Sequence, residues 1–392
     1  MVLPGHWVGI VGGGQLARMM LQKVHKLGLR ARVLDPDPAC PAAALCDDLI
    51  VGSPLDRDAL RSLVERCQVS TLEIEHVDAG ALIELEAAGH AIHPSPRLVA
   101  TLQDKLLQRR ALERAGIPGP RFAPLPAGDL DALSGFGFPL VQKARRGGYD
   151  GRGVAVLRSP DDLTRALPGE CLAEELVPID KELAIIVARG RDGALRSYPV
   201  VEMVFDPRAH VLDVLLVPAR IDERLARDAR ALAEAAIAAQ EGVGVFGVEL
   251  FLDRAGRLLV NEIAARPHNS GHYTIEAAAT CQFEQHLRAV AGLPLGSTEL
   301  LRPAAMVNLL GSESGEGRPH VHGLIEALAL EGVSFHFYGK STTRPRRKMG
   351  HVTVVAPSVD EALRTALHVR QLVRIDAEDR AAPAQPSQED AA

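Results

Sequence analysis

Two apolar segments, Val245 to Leu252 and Leu258 to Ala264, flank a turn at Asp253 to Gly256, with Glu249 within the first and Asn261 and Glu262 within the second. The pattern predicts two strands of a hairpin. Carboxylates set among Val, Phe, Leu and Ile cannot stay ionised and unpaired without a cost of several kcal/mol. A basic partner or a hard cation must therefore hold them, and oxygen-rich sites of this kind hold magnesium on nucleotide phosphates. A polar stretch, Arg266 to His272, follows at once.

At 392 residues the chain is long enough for two or three compact units. A formal charge of −6 gives no overall basic field, which argues against nucleic acid and anionic membranes as partners and leaves small molecules. Cys40, Cys46, Cys67, Cys171 and Cys281 are scattered, with no C-x-x-C spacing, so neither a disulfide framework nor a zinc site is expected. A reducing cytoplasm is the expected compartment. No leader-like segment opens the chain and no run of about 18 apolar residues occurs, so neither export nor membrane spanning is expected.

The first part alternates strand and helix. Strands are predicted at Trp7 to Val11, Ala31 to Leu34, Leu49 to Val51 and Val69 to Ile74, with helices from Gln15, from Asp56 and near Ala79. This is the order of a parallel sheet covered by helices. Leu16, Met19, Met20, Val24 and Leu27 recur at helical spacing and mark the face that packs on it. A charged helix from about Ala100 to Ala115 follows. From Pro139 the pattern becomes hairpins of an antiparallel sheet, with turns at Arg191 to Gly193 and at Asp206-Pro207. Helices are expected at Asp222 to Gln240 and Thr274 to Val290, then a small α+β region to about Val373 and a disordered tail.

Gly12-Gly-Gly-Gln-Leu-Ala17 sits between a strand and a helix, and Asp35 ends the next strand where a dinucleotide-binding acid would stand. The glycines could bring backbone N–H groups to a phosphate at the helix N-terminus, or could simply make a tight turn. Lys143, followed by Arg145, Arg146 and the glycines from Gly147 to Gly153, is more specific, although an ordinary exposed hairpin turn is the plainer reading. It joins a cation at a strand end to a glycine-rich tip whose N–H groups can line an anion site, and it is not a Walker-type loop. Glu174, Glu175, Leu176 and Val177, with Glu182 beyond, read either as solvated charges or as an adenine-binding edge and a ribose carboxylate. Lys340, Arg344, Arg346, Arg347 and Lys348 form a basic cluster that fits a solvated loop, a polyanion patch or a monophosphate site. Without interleaved aromatic residues, nucleic acid suits it least.

Taken together, Gly12-Gly-Gly-Gln-Leu, Gln103-Asp-Lys105, Lys143 with Gly147-Gly-Tyr-Asp-Gly-Arg-Gly153, Glu249, Asn261-Glu262, Arg266-Pro-His-Asn-Ser-Gly-His272 and Arg346-Arg-Lys-Met-Gly-His351 resemble the N5-carboxyaminoimidazole ribonucleotide synthetase family of the ATP-grasp superfamily. The resemblance runs from about Trp7 to about Val373. It implies α/β and α+β architecture in three domains: a Rossmann-like unit over 1–103, an ATP-grasp unit over 104–297 and a small unit over 298–375, with 376–392 as the tail. It also implies a homodimer and a reaction in de novo purine synthesis. In that reaction ATP phosphorylates bicarbonate to carboxyphosphate, which carboxylates the amine of 5-aminoimidazole ribonucleotide.

By the same resemblance, Lys105 and Lys143 face the nucleotide phosphates, the loop Gly148, Tyr149, Asp150, Gly151, Arg152 and Gly153 covers them, and Glu174 to Val177 hold adenine. Glu182 meets the ribose, Glu249 and Glu262 bind magnesium, and Asn261 assists at the phosphates. Tyr149, Asp150, Arg266, His268 and Asn269 surround the carboxylation centre, and Gln15, Leu16, Glu75, Lys340, Arg347 and Lys348 hold the ribonucleotide. Phe205 stands where many bacterial members carry a histidine that touches the nucleotide. Thr71 to Asp78 is closer to the fungal form, whose chains continue into a further domain, so the synthetase step alone is implied. The competing expectations are a nicotinamide-dependent oxidoreductase, resting on the glycine turn and Asp35, another ATP-grasp ligase with a different acceptor, and a catalytically silent binding protein.

Overall fold

The structure, a computed structural model, describes residues 1–148, 153–205 and 212–378. The chain opens with strand β1 (Trp7–Val11), helix α1 (Gln15–Lys26), β2 (Arg30–Asp35), β3 (Asp48–Val51), α2 (Arg57–Val64), β4 (Val69–Leu72) and α3 (Ala79–Ala87). The four strands are parallel, in the order β3-β2-β1-β4. Leu16, Met19, Met20 and Val24 of α1 are buried against the sheet, and Leu27 is half-buried beside them. Asp56 caps α2 by accepting from the N–H groups of Asp58 and Ala59.

The single helix expected over Ala100 to Ala115 is two: α4 (Pro96–Leu102) and α5 (Lys105–Arg114). Asp104 causes the break. Its buried carboxylate accepts from the N–H groups of Leu106 and Leu107, starting a new helix, and pairs with Arg145 at 2.6 Å. Lys105 therefore opens a helix instead of lying in mid-helix, and its side chain leaves that end.

A four-stranded antiparallel lobe follows, made of β5 (Phe122–Leu125), α6 (Leu130–Phe136), β6 (Leu140–Ala144), β7 (Val154–Leu157) and β8 (Cys171–Glu175). The larger sheet holds β9 (Ile179–Arg189), β10 (Leu195–Ser197), β11 (Val201–Phe205), β12 (Leu212–Val217), β13 (Gly244–Asp253) and β14 (Leu258–Ala264). Helix α7 (Glu223–Gln240), capped by Asp222, lays Ala229, Ala233, Ala236 and Ile237 against β9 and β13. The Arg191 to Gly193 turn joins β9 and β10, whereas Asp206-Pro207 lies outside the described residues.

The helix expected over Thr274 to Val290 is also broken, into α8 (Thr274–Ala277) and α9 (Gln282–Ala291). Ala278 is extended and bridges Leu300, while the Ala279 N–H donates to Glu299 O, so the backbone between the helices bonds sideways. Beyond lie β15 (Ala304–Leu310), β16 (Arg318–His322), α10 (Leu324–Leu328), β17 (Val333–Phe337), β18 (Lys348–Val355), α11 (Val359–Leu372) and β19 (Arg374–Glu378). The large sheet runs without interruption in the order β14-β13-β9-β11-β12-β15-β18-β17. The regular structure reaches Glu378, because β19 pairs with β16. Residues 376–378, expected in the tail, are thus in a strand, and the remaining tail lies outside the described residues.

Candidate active site

Glu249 on β13 stands directly opposite Glu262 on β14, and the register shifts just beyond them, where Leu250 pairs with Val260. Asn261 is the extra residue of this bulge, which re-aims side chains that strict alternation would send to opposite faces. Asn261 and Glu262, adjacent in sequence, consequently serve the same side. The Asn261 amide lies 3.4 Å from Glu249 Oε2. Glu249 also pairs with Ala184 of β9, which places Glu182, two residues earlier, on the face that carries Glu249. The hairpin turn is fixed by buried Asp253, which accepts from the N–H groups of Ala255 and Arg257 and from the Arg257 guanidinium at 2.6 Å.

Two lysines close on this face from other elements. Lys105 donates to Glu262 Oε2 at 2.6 Å, and Lys143 on β6 donates to Asn261 Oδ1 at 3.0 Å while standing 2.7 Å from Glu174 Oε2. Glu174 is buried and also pairs with Arg109, whose guanidinium donates to Val260 O as well. Burial alone would raise the Glu174 carboxyl, but Lys143 and Arg109 together hold it below the usual range. Its side chain is thus a buried tie between two cations, which leaves only the neighbouring groups to meet a ligand. Of these, the Glu175 N–H is spent on Arg121 O, Leu176 is half-buried and Val177 is buried.

The face is short of positive charge at one end. Burial, followed by Glu262 and Glu182, pushes Glu249 up to about 7, and burial pushes Glu182 up to about 7 as well. Glu262 differs, because Lys105 outweighs its burial and holds it low. Among the described residues no group of three or more His, Cys, Asp or Glu could hold a metal. Two facing carboxylates and an amide oxygen instead suit magnesium, which takes one or two carboxylates and completes its shell from phosphates and water.

The segment after β14 brings the remaining candidates. Arg266 Nε lies 3.3 Å from Glu75 Oε1, so the unit built on β1 to β4 reaches the site, and burial raises Glu75 against the opposing pull of Arg266. Gln103 donates to Glu75 O and Val77 O and fixes that approach. His268 Nε2 is 3.5 Å from Glu249 Oε1, and its Cβ lies where a side chain on Gly247 would come within 2.6 Å. The Asn269 amide is engaged reciprocally with Asn308 of β15 at 3.1 and 2.9 Å, which ties it into the sheet. Phe205 packs beside Met203, Leu212, Tyr273 and Met306.

Of the two readings of the glycine turn, the bonds made there fit the tight turn. The Gly13 N–H donates to Asp35 Oδ2 at 2.7 Å, and the Gly14 N–H donates to Glu73 Oε1 at 2.8 Å. The donors that would cradle a pyrophosphate are already bound to this chain's own carboxylates, and two acids there would repel another anion. Cβ atoms at Gly12 and Gly13 would run into Glu73, Cys40 and Asp35, so the glycines admit carboxylates. Gln15 is half-buried and Leu16 buried at the start of α1.

The basic loop between β17 and β18 lies against that same helix, since a Cβ on Gly339 would be 3.4 Å from the Arg18 guanidinium. Lys340 donates to Lys348 O at 2.6 Å, and Arg347 donates to Thr342 O and Oγ1, both at 2.7 Å. The loop is therefore an ordered turn with its cations gathered together. In the glycine-rich tip, Gly148 and Gly153 are described, and Ala144 N–H donates to Gly153 O at 2.8 Å. Tyr149, Asp150, Gly151 and Arg152 lie outside the described residues.

Sequence reasoning gave no role of their own to Asp104 and Glu73, which lie in segments it quoted, and passed over Arg109 and Gln108. Arg109 follows Lys105 by four residues and so shares its helix face, a signal that was available. Gln108 grips Ile263 through both its amide oxygen and nitrogen, and only the tertiary structure shows that.

Three family models match the chain: the ribonucleotide synthetase preATP-grasp domain over residues 6–103, the ATP-grasp domain over 110–283 and the phosphoribosylaminoimidazole carboxylase C-terminal domain over 304–365. N5-carboxyaminoimidazole ribonucleotide synthase of Synechococcus elongatus is 41% identical over 387 residues, covering 96% of each chain. The crystal structure of N5-carboxyaminoimidazole ribonucleotide synthetase from Thermotoga maritima superposes with a TM-score of 0.88 at 48% identity, covering 95% of this chain and 100% of that one. The Aspergillus clavatus synthase in complex with ADP and 5-aminoimidazole ribonucleotide gives 0.86 at 36% identity, covering 94% and 99%.

Proposed function

Because this chain belongs to the N5-carboxyaminoimidazole ribonucleotide synthase family of ATP-grasp ligases, we propose that its carboxylate face is where MgATP activates bicarbonate for transfer to 5-aminoimidazole ribonucleotide. The chain is an ATP-dependent ligase of purine biosynthesis. The observation that carries the site assignment is Glu249 facing Glu262 in register, with Lys105, Lys143 and Asn261 at their ends and His268 beside Glu249.

Lys105 and Lys143 would turn from the acids they now hold to phosphate oxygens, and Glu249 with Glu262 would hold magnesium. The ion supplies charge neutralisation on the phosphates when bound. Arg266 and His268 would orient bicarbonate so that one oxygen attacks the γ-phosphorus, the bond to ADP breaks and carboxyphosphate forms. The ribonucleotide amine then attacks the carboxyl carbon, phosphate leaves with the carboxyl–oxygen bonding pair, and the amine loses a proton. Gln15, Leu16, Glu75, Lys340, Arg347 and Lys348 would hold the ribonucleotide, with Arg18 joining the basic group by position. The segment at Glu174 to Val177 would border adenine, with Glu182 near the ribose, and the Gly148 to Gly153 loop would cover the phosphates. A homodimer in the cytoplasm completes the proposal. Among the described residues no helix is long and apolar enough to cross a membrane.

The oxidoreductase alternative loses its basis once Asp35 and Glu73 fill the glycine turn. The deciding experiment measures phosphate release from MgATP with bicarbonate, with and without the ribonucleotide. Stimulation by the ribonucleotide, with a carboxylated product, is expected; release indifferent to it would move the chain to another acceptor within the superfamily.

A further inference from the structure

The gap between α8 and α9 sets Gln282 at the head of α9 with its side chain wholly buried under the loop that carries His268. Its amide oxygen accepts from the His268 N–H at 2.9 Å, and its amide nitrogen donates to the His268 carbonyl at 2.8 Å. The second amide hydrogen goes to His272 Nδ1 at 3.0 Å, which requires that nitrogen to be the acceptor. Thr274 links the two ends, since its hydroxyl accepts from the Gln282 N–H at 2.9 Å and donates to Gly271 O at 2.6 Å. Gly271 lacks the Cβ that would collide with Gln282 Oε1. One side chain therefore occupies the centre of the loop, with both its donors and its acceptor in use.

From this geometry, and resting on the proposed role of the loop in holding bicarbonate, we infer that Gln282 is a positioning residue that sets His268 for the carboxylation chemistry while touching none of the substrates. The His268 residue is held at both N–H and C=O from one side, and its Cβ is held against Gly247 from the other. Its ring leaves that fixed backbone with Nδ1 2.8 Å from Ser270 Oγ of the same loop and Nε2 3.5 Å from Glu249. Burial keeps His272 neutral, which preserves the acceptor that the second amide hydrogen needs. None of the Gln282 side chain's bonding capacity is spent elsewhere.

The test compares Gln282→Met, which keeps length and removes all three bonds, with Gln282→Glu, which keeps the acceptor and sets a carboxylate against two acceptors. The readout is carboxylated product per phosphate released, with the bicarbonate KM and the ADP Kd measured on the same samples. We expect the ratio to fall or the bicarbonate KM to rise by about tenfold, as for groups that orient a site from behind, with Glu worse than Met and the ADP Kd unchanged. A lower kcat with wild-type ratio and KM means only fewer folded molecules and overturns the inference. If Gln282→Met does not fold, Thr274→Val decides by the same readout. Unmodified protein without bicarbonate-dependent release overturns the functional reading, and this inference with it.

Discussion

Lys105 and Glu262, 157 residues apart in sequence, meet at 2.6 Å across the site, and the same lysine heads α5 only because Asp104 ends the preceding helix. On the proposed reading, a phosphate would enter here by drawing the lysine away. Glu262→Gln removes the counter-charge of Lys105 and, on the proposed reading, one charged oxygen ligand for magnesium. We expect ATP turnover to fall roughly 100-fold, the scale of losing one preorganised charged group at phosphoryl transfer. Phosphate release across a magnesium titration checks this, and wild-type turnover would falsify the metal assignment.

Lys348→Ala is expected to raise the KM for the ribonucleotide about tenfold or more, as loss of one charge-assisted phosphate contact does. The KM for ATP should stay within about twofold. Steady-state kinetics with each substrate varied separately decides it, and the opposite split moves Lys348 to the nucleotide site.

Burial holds Glu182 up to about 7, whereas in the unfolded chain it titrates near 4.5. Between those values the folded state binds more protons, so this group's contribution to stability is present below 4.5 and is lost as pH rises through 7. Glu182→Gln removes the loss. Thermal midpoints of the ligand-free variant and wild type should agree near pH 4.5 and diverge toward neutrality, with the variant higher. The difference is the readout, because Asp104 and Glu202, both held below their usual range, act with the opposite sign at lower pH. A constant offset across the range would refute the assignment.

Thr71 of β4 and His286 of α9 join the first unit to the large sheet through a buried bond of 2.7 Å, and the Val245 N–H donates to the other ring nitrogen at 3.1 Å. The ring thus accepts from Val245 and gives its N–H to Thr71, and burial pushes its pKa down to about 3. Thr71→Val strands that N–H and should cost about 1–3 kcal/mol in denaturant unfolding. The KM for ATP should not move, since neither residue contacts Lys105 or Lys143.

Much of the site was legible because its signals are local. Glu249 and Asn261-Glu262 stood out as polar groups inside apolar strands, and Lys143 stood out beside its glycines. What stayed hidden depends on partners distant in the chain. Asp104 and the Ala278 to Cys281 stretch read as helix by composition, but each is diverted by bonds that exist only after folding, to Arg145 and to Glu299 and Leu300. At the glycine turn the choice between phosphate cradle and tight turn stayed open for the same reason: its shape was legible, but the acids filling it, Asp35 and Glu73, arrive from two other strand ends. The bulge at Asn261 explains how two neighbouring residues can serve one side, which strand alternation alone denies.

The pairing of β12 with β15, register Val214 to Val307 through Val217 to Ala304, crosses the point near residue 297 where the chain reads as divisible. A fragment ending there would bare the edge of β12, and one beginning there would bare β15, each an open template for adhesion to a neighbour. The two fragments made separately should aggregate or find each other, so the last quarter of the chain belongs to the same slab as the hairpin of β13 and β14.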